Sequence, residues 1–193
     1  MNDKTLLAIL GSPHQNGPTA AMLSCAVSAA LQDGWRVTTV NLYQKNLAFC
    51  IGCGRCSALG ECVVQDDAAQ IAALLKKADR VVLAAPTYWA NIPAAVKNLF
   101  DRLTGTVMEQ TGGLPKPRLS PQQKYLLLTT CATPFPFSLL AGQSVGSLRA
   151  MKAFFKYSGM KCLGCVAFAG TQRTPVLPQD IQRKIRRSWV HGR

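Results

Sequence analysis

The chain has 193 residues, of which 48% are hydrophobic and 16% charged, and its formal net charge at pH 7 is +13. This length and apolar content suffice for one hydrophobic core, so we expect a single domain over residues 1–193. The apolar runs are only strand-sized and the first ten residues lack a secretory-signal pattern, which argues against a membrane partner and predicts a cytoplasmic protein.

Five apolar runs alternate with five segments of helical pattern. The runs predict strands at 5–10, 35–42, 80–86, 124–130 and 161–170, and the segments between them predict helices at 18–32, 66–78, 92–103, 142–157 and 178–188. Such alternation requires crossover connections, so we expect a parallel sheet with helices on both faces, a three-layer α/β domain. Ligands of such sheets bind at the carboxyl ends of the strands.

The loop after the first strand has the composition of a phosphate-binding turn. Residues 11–23 read GSPHQNGPTAAML, with Pro18 and Thr19 in the first turn of the next helix. A helix N-terminus carries partial positive charge and unpaired N–H donors, so a phosphate can bind there with Ser12, Asn16 and Thr19 as further donors. An ordinary capped turn is the alternative. Neither the Walker G-K-[ST] nor G-x-G-x-x-G occurs, which disfavours ATP hydrolysis and Rossmann-type NAD binding.

Four cysteines are concentrated in residues 50–62, CIGCGRCSALGEC, with the spacing C-x2-C-x2-C-x5-C. Disulfides are rare in the cytoplasm, so clustered cysteines indicate metal or redox chemistry. Overlapping C-x2-C steps can direct three thiolates to adjacent corners of a cubane, with the fourth following. Structural zinc more often separates two such pairs by a longer loop. Zinc and free or disulfide-forming thiols remain alternatives to a cluster on Cys50, Cys53, Cys56 and Cys62.

The four other cysteines, Cys25, Cys131, Cys162 and Cys165, fall in helix or strand patterns. We expect them to be core thiols. Cys162 and Cys165 span a predicted strand, which would make a poor redox pair. Asp66 and Asp67 are expected to cap the N-terminus of the helix at 66–78 rather than to act as an acid–base pair.

Two large aromatic residues follow the third strand. Pro86, Thr87, Tyr88, Trp89 and Asn91 stand at its carboxyl end. A planar ring could stack on Tyr88 or Trp89 while N–H groups of the turn bond its edge; alternatively, Trp89 closes the top of the core. The loop after the fourth strand, LLTTCATPFPF, could line the same crevice. Between them, residues 104–123 form a Gly/Pro-rich segment that predicts a long loop.

The basic surplus lies in the second part of the chain, and part of it is the terminal segment QRKIRRSWVHGR. We interpret this segment as a solvated basic helix and tail, because no aromatic-interleaved basic stripe accompanies it. Nucleic acid is therefore a disfavoured partner. His191 is given no role.

Three segments, GSPHQNGPT, CIGCGRCSALGECVVQDDA and ADRVVLAAPTYWANIPAAVKNLFDR, resemble the flavodoxin-like NAD(P)H-dependent FMN reductases, especially their iron–sulfur flavoprotein branch. The resemblance implies a flavodoxin-like sandwich with a five-stranded parallel sheet of order 2-1-3-4-5, into which residues 50–62 are inserted. It also implies a homodimer or homotetramer in which a neighbouring subunit lines part of the flavin site. The first loop departs from the family, which commonly has a basic pair where this chain has His14 and Gln15.

The same resemblance implies FMN, with its phosphate on the first loop and its ring against residues 86–92, and a [4Fe–4S] cluster on Cys50, Cys53, Cys56 and Cys62. The cofactor-binding residues predicted in this way are Ser12, His14, Asn16, Gly17, Pro18, Thr19, Pro86, Thr87, Tyr88, Trp89, Asn91, Ile92, Thr130 and Cys131. No catalytic side chain is predicted, since no Ser-His-Asp, HExxH or paired-acid arrangement is present.

The predicted function is that of an FMN-dependent oxidoreductase, with NAD(P)H as co-substrate and a quinone, a flavin or a protein as electron acceptor. Two alternatives stay open. One is a non-catalytic redox or metal sensor that contacts nucleic acid through its basic tail. The other is an electron carrier that NAD(P)H does not reduce.

Overall fold

The computed structural model of the chain describes residues 4–172 and 176–190. Its centre is a parallel five-stranded sheet with the order β2-β1-β3-β6-β7. In chain order, the strands of the described residues are β1 (Thr5–Leu10), β2 (Arg36–Asn41), β3 (Arg80–Pro86), β4 (Met108–Glu109), β5 (Lys116–Pro117), β6 (Lys124–Cys131) and β7 (Lys161–Ala169). Strands β4 and β5 form a separate antiparallel pair. The five predicted strands and the predicted order 2-1-3-4-5 are confirmed.

Long helices occupy the five predicted positions, and short helical turns occur within the predicted loops. The helices are α1 (Pro18–Gln32), α2 (Arg55–Leu59), α3 (Asp67–Lys77), α4 (Ala94–Val107), α5 (Phe137–Leu140), α6 (Gln143–Tyr157) and α7 (Gln179–Val190), with a 3-10 turn at Leu42–Gln44. In the part of the chain that the structure covers, no helix has the length and apolar character needed to cross a bilayer.

The sheet separates two apolar layers. On one face, β-strand residues such as Leu7 and Leu83 pack with Ile71, Leu99 and Phe155 of α3, α4 and α6. On the other face, α1 and α7 cover residues that include Ala8 and Val82. Because β3 lies in the centre of the sheet and is covered on both faces, its sequence RVVLAAP is apolar almost throughout.

Helix α7 is the predicted basic helix. Ile181, Ile185 and Trp189 recur every fourth residue and are buried, while the basic side chains face solvent. The centroid of the Trp189 ring lies 4.4 Å from the Arg80 guanidinium carbon, and the centroid of the Trp35 ring lies 4.5 Å from the same carbon. This stacking fastens α7 to the sheet. His191 and the rest of the tail lie outside the described residues.

The loop predicted at 104–123 is shorter than expected, because α4 continues to Val107 and takes up the first four of these residues. Leu103, Thr106 and Val107 are buried, so the extra turn of helix adds to the apolar layer. The remainder of the segment contains the β4–β5 pair and the buried Leu119.

Candidate functional site

The first loop leaves β1 and turns sharply against β3. Gly11 donates its N–H to the carbonyl of Ala84 at 2.8 Å, and a Cβ on Gly11 would collide with the side chain of Val96. Helix α1 then begins after Gly17, which caps it without any side-chain hydrogen bond. Ser12 is 3% exposed, and its Oγ accepts the N–H of His14 at 3.2 Å, so its own proton is available to a ligand.

Thr19, predicted to donate to a phosphate, also contacts a residue of a distant strand. Its hydroxyl is 2.7 Å from that of Thr130 at the end of β6, and both residues are buried. This hydrogen bond links the start of α1 to the carboxyl end of β6. Asn16 and His14 are exposed on the same loop.

The second loop is a tight two-residue turn. Tyr88 and Asn91 exchange two backbone hydrogen bonds of 2.9 Å, and Trp89 and Ala90 between them have φ angles of 52° and 55°. Two adjacent left-handed residues without glycine are uncommon and indicate a conformation held by its surroundings. The Trp89 side chain is 98% exposed, so the alternative that it closes the core is wrong.

Neighbouring elements hold this turn at its base. Thr87 donates its N–H to the carbonyl of Thr130 at 2.7 Å, and its hydroxyl lies 3.1 Å from that of Thr129. Gly146 of α6 lies directly against the carbonyl of Ala90, where any side chain would collide. The turn is therefore fixed by β6 on one side and by α6 on the other.

Sequence reasoning missed two residues of this edge, Tyr43 and Gly146. Burial, and secondarily the nearby Tyr88, raise the pKa of Tyr43 above its ordinary value. Tyr43 follows β2 in the 3-10 turn and is 43% exposed. An aromatic residue just past the end of a strand was a usable signal for Tyr43; Gly146 gave none, because its role depends on α6 meeting the second loop.

The structure thus brings the predicted residues of three loops to one edge of the sheet. The predicted residues Ser12, Thr19, Ile92, Thr130 and Cys131 are buried there. His14, Asn16, Tyr88, Trp89 and Asn91 are exposed, and Gly17, Pro18, Pro86 and Thr87 are half-buried. The edge combines a helix start without a side-chain cap, buried hydroxyl groups and an exposed aromatic ring.

The four clustered cysteines occupy a separate segment that packs on α4. Cys50 and Cys53 are exposed, and Cys56 and Cys62 are half-buried, all as free thiols. Within residues 4–172 and 176–190, no three or more Cys, His, Asp or Glu side chains are grouped so that they could hold a metal ion. In this arrangement of the thiols, residues 50–62 do not form a cluster site.

Arg102 of α4 contacts residues at both ends of this segment. Its Nε lies 3.3 Å from the sulfur of Cys62, and its other nitrogens donate to the carbonyls of Ala48 and Val64 at 2.7 and 2.8 Å. It also forms an ion pair with Asp66 in which the two side chains are 0% and 5% exposed. One guanidinium group therefore fixes both ends of the segment.

Asp66 caps α3, as predicted, but it has a second role. It accepts the N–H of Ala68 at 2.9 Å and that of Ala48 at 2.8 Å, besides pairing with Arg102. Burial alone would raise the pKa of Asp66, but these hydrogen bonds, that from Arg102 foremost, outweigh it and hold the pKa below its ordinary value. Asp67 lies in the first turn and accepts the N–H of Asn46 at 2.7 Å.

Helix α2 holds Cys56 against α4. Gly105 faces the Cys56 carbonyl so closely that a Cβ would collide with it. Arg118 donates to the carbonyls of Ser57 and Gly105, each at 2.7 Å. Cys56 and Cys62 are thus held on α4, while Cys50 and Cys53 lie on the exposed part of the segment.

The prediction of core thiols is wrong for Cys162 and Cys165, which are both exposed. It is confirmed for Cys131, which is buried, and Cys25 is half-buried. The error follows from treating β7 as a regular, covered strand, whereas it is an edge strand with an irregular register next to Cys162.

Comparison with known proteins agrees with this architecture. The sequence profile of the flavodoxin-like fold family matches residues 4–191. The chain belongs to the flavodoxin-like family. The chain is also similar to an iron-sulfur flavoprotein of Archaeoglobus fulgidus, with 38% identity over 97 residues, 50% of this chain and 44% of that protein. An iron-sulfur flavoprotein of Methanosarcina thermophila is 34% identical over 97 residues, 50% of this chain and 51% of that protein.

The flavodoxin-like chain thus spans about half the length of these curated relatives. Two solved structures share its fold at low identity. An FMN-dependent NADH-azoreductase from Bacillus anthracis, in complex with FMN, gives a TM-score of 0.73 at 15% identity over 98% of this chain and 99% of that one. The NAD(P)H:quinone oxidoreductase from Methanothermobacter marburgensis gives 0.75 at 15% identity over 99% and 98%.

Proposed function

We propose that this flavodoxin-like chain binds FMN at the carboxyl edge of its sheet and acts as an NAD(P)H-dependent oxidoreductase. The observation that carries the proposal is the meeting of two features at that edge: the start of α1 beside Ser12, which has no side-chain cap, and the exposed Trp89 turn after β3. A flavin mononucleotide has the matching parts, an anionic phosphate and a flat ring.

The phosphate would lie at the start of α1. Gly17 offers no side chain to satisfy the first N–H groups of the helix, and Ser12 can donate its hydroxyl proton. Asn16 is exposed within the same loop and adds an amide donor. Thr19 would act indirectly, by holding α1 to β6 through Thr130.

The ring would lie against the second loop. Trp89 and Tyr88 present aromatic surface, and such surface stacks well on a planar heterocycle. Fixing the turn at Thr87 and at Gly146 keeps this surface in place before any ligand arrives, which lowers the entropic cost of binding.

FMN would supply the hydride and electron transfer between NAD(P)H and an acceptor such as a quinone, a flavin or a protein. The side chains of the edge would bind and orient the ring and leave one face open. The exposed position of Trp89 is compatible with an open flavin face. It would also allow a neighbouring subunit to pack over the Trp89 ring. A homodimer or homotetramer is part of the proposal, supported by three exposed apolar side chains: Phe135 in the loop after β6, and Phe137 and Leu140 in α5.

The proposal is tested by reconstituting the full chain with FMN under anaerobic conditions and adding NADH or NADPH. Bleaching of the flavin absorbance, followed by its return on addition of a quinone, is the expected result. Binding of FMN without bleaching by either nucleotide would favour an electron carrier. Failure of FMN to bind would overturn the proposal.

A second proposal concerns the residues 50–62. Their cysteine spacing, and the printed names of the curated relatives, support a [4Fe–4S] cluster on Cys50, Cys53, Cys56 and Cys62. In the structure the four thiols are too far apart to share a metal site. Binding of a cluster would therefore require the exposed Cys50 and Cys53 to move towards Cys56 and Cys62, which pack on α4. No electron step is assigned to it.

Anaerobic reconstitution with iron and sulfide, followed by metal analysis, tests this cluster. We expect about four irons per chain, loss of iron in Cys53→Ser, and no change in Cys25→Ser. Equal iron in the two variants, or zinc in place of iron, would contradict the cluster.

A further inference from the structure

A pair of cysteines lies at the opposite end of the sheet from the proposed flavin site. The sulfur atoms of Cys162 and Cys165 are 3.9 Å apart, and both residues are exposed. Cys162 pairs with Tyr125 near the start of β6, whereas the proposed flavin edge includes Thr130 near its end. At about 3.3 Å per residue, these positions are about 16 Å apart along the strand.

A β-bulge explains why the two thiols meet. In a regular strand, residues three positions apart point to opposite faces. In β7, Tyr125 is opposite Cys162, but the next residue, Leu126, is opposite Gly164, so Leu163 is an extra residue. The extra residue turns Cys165 to the face of Cys162, where Lys152 of α6 also lies.

The packing on the other face supports the bulge. A Cβ on Gly164 would lie 2.7 Å from Oγ of Ser188 in α7, so only glycine allows the helix to pack there. Gly164, which follows the extra residue, therefore packs directly against α7, and this contact fixes the strand next to the bulge. Bulges commonly redirect a side chain in this way.

The surroundings also favour a thiolate on Cys162. The hydrogen bond from Cys165, with further help from the Tyr125 hydroxyl, the Gly164 N–H and the charge of Lys152, lowers the pKa of Cys162 to about 6 despite partial burial. Donating to Cys162 in turn raises the pKa of Cys165. The lowered pKa favours Cys162 as the attacking thiolate, and Cys165, whose sulfur lies 3.9 Å away, is within reach to resolve a mixed disulfide.

We propose that Cys162 and Cys165 form a redox-active dithiol, independent of the flavin site, that reacts with small-molecule disulfides and closes to an intrachain disulfide. The site stands on the 3.9 Å separation of the two sulfurs, the exposure of both residues and the bulge that aligns them. Closing the bond needs the sulfurs to approach to about 2.05 Å, a movement of about 2 Å that side-chain rotation can supply.

The reaction balances as two exchanges. The Cys162 thiolate attacks one sulfur of a disulfide R–S–S–R, forms Cys162–S–S–R and expels the thiolate R–S⁻. Cys165 then loses its proton to solvent and attacks the sulfur of Cys162, which forms the intrachain bond and expels the second R–S⁻. The two protein thiols lose two electrons and two protons, and R–S–S–R gains them as two R–SH.

The test exposes the reduced, native full chain to glutathione disulfide, quenches with iodoacetamide and maps the peptides by mass spectrometry. Both cysteines fall in one tryptic peptide, residues 162–173, because Lys161 precedes it and Arg173 ends it. We expect this peptide to lose two hydrogens and to resist alkylation. Full alkylation of both cysteines after the treatment would overturn the proposal.

Single substitutions separate the two roles. In Cys165→Ser, a glutathionyl group should remain trapped on Cys162; in Cys162→Ser, modification of Cys165 should be at least about tenfold slower. Cys25→Ser is the control and should leave the peptide's behaviour unchanged. Equal modification rates in the two variants, or a disulfide from Cys162 to any cysteine other than Cys165, would contradict the assigned roles. Both positions are exposed, so loss of folding does not confound the comparison.

Discussion

The hydroxyl groups of Thr19 and Thr130 lie 2.7 Å apart and are buried, although 111 residues separate them in sequence. Thr130 also accepts the N–H of Thr87 through its carbonyl at 2.7 Å. One residue of β6 therefore joins the first loop, which begins α1, to the second loop, which carries Trp89. The geometry of the proposed flavin site depends on this junction.

Replacing Thr130 by Val should remove the hydroxyl pair and leave the Thr19 hydroxyl buried without that partner. We expect a loss of about 1–3 kcal/mol in the free energy of unfolding, measured by urea denaturation. The double variant Thr19→Val/Thr130→Val should lose less than the sum of the two single variants, since neither hydroxyl is then left alone. Thr39→Val, on exposed β2, is the control and should change stability by less than about 0.5 kcal/mol. Additive losses would argue against the pair.

Replacing Gly146 by Ala should displace α6 from the second loop, because the new Cβ would collide with the Ala90 carbonyl. We expect about 1–3 kcal/mol of destabilisation and weaker FMN binding, measured by denaturation and by flavin titration. Gly112→Ala is the matched control, since a Cβ there has no neighbour within 4 Å. Equal behaviour of the two variants would show that α6 does not position the turn.

Replacing Trp89 by Ala should weaken FMN binding without loss of stability. The side chain is 98% exposed, so the fold gains little from it, while ring stacking is worth about 1–2 kcal/mol. We expect the Kd for FMN to rise about 5–30-fold and the urea midpoint to stay constant. Leu114→Ala, with 88% exposure in the loop between β4 and β5, serves as control and should leave the Kd unchanged.

Replacing Arg102 by Met should be strongly destabilising, by about 3–5 kcal/mol, because Asp66 would remain buried without its ion-pair partner. Lys97→Met removes an exposed ion pair with Asp101 and should cost less than about 1 kcal/mol. Urea denaturation at pH 7 measures both. Similar losses in the two variants would contradict the importance of burial.

Acid should weaken the same contact. The folded state lowers the pKa of Asp66 below the ordinary value of about 3.9, so its stabilising contribution is complete above about pH 5 and is lost as the pH falls through the folded pKa. Asp66→Asn should therefore show a smaller loss of stability between pH 5 and pH 3 than the unmodified chain. The two pH profiles would be parallel if Asp66 titrates alike in both states.

The regular parts of the fold were predictable because each depends on local pattern. The apolar run of β3 and the four-residue repeat of Ile181, Ile185 and Trp189 in α7 are visible without any tertiary knowledge. The parallel sheet and the edge that carries the loops follow from alternation alone. The order of the strands required the family resemblance.

The parts that were not predictable depend on contacts between distant residues. The role of Arg102 as anchor requires α4 to meet the cysteine segment, and nothing near Arg102 in sequence indicates this. The approach of Cys162 to Cys165 depends on one extra residue relative to β6, a register shift that periodicity within β7 does not show. The hydrogen bond between Thr19 and Thr130 was not predicted, because 111 residues separate the two in sequence.

The central claim is that the start of α1 binds the phosphate of a flavin whose ring lies on the Trp89 turn. Titration of the full chain with FMN and with riboflavin, followed by tryptophan and flavin fluorescence, tests it most directly. We predict that FMN binds at least about tenfold more tightly than riboflavin. Ser12→Ala should reduce this ratio of affinities, and Trp89→Ala should weaken the binding of both ligands. Equal affinity for the two ligands, or no binding of either, would contradict the account.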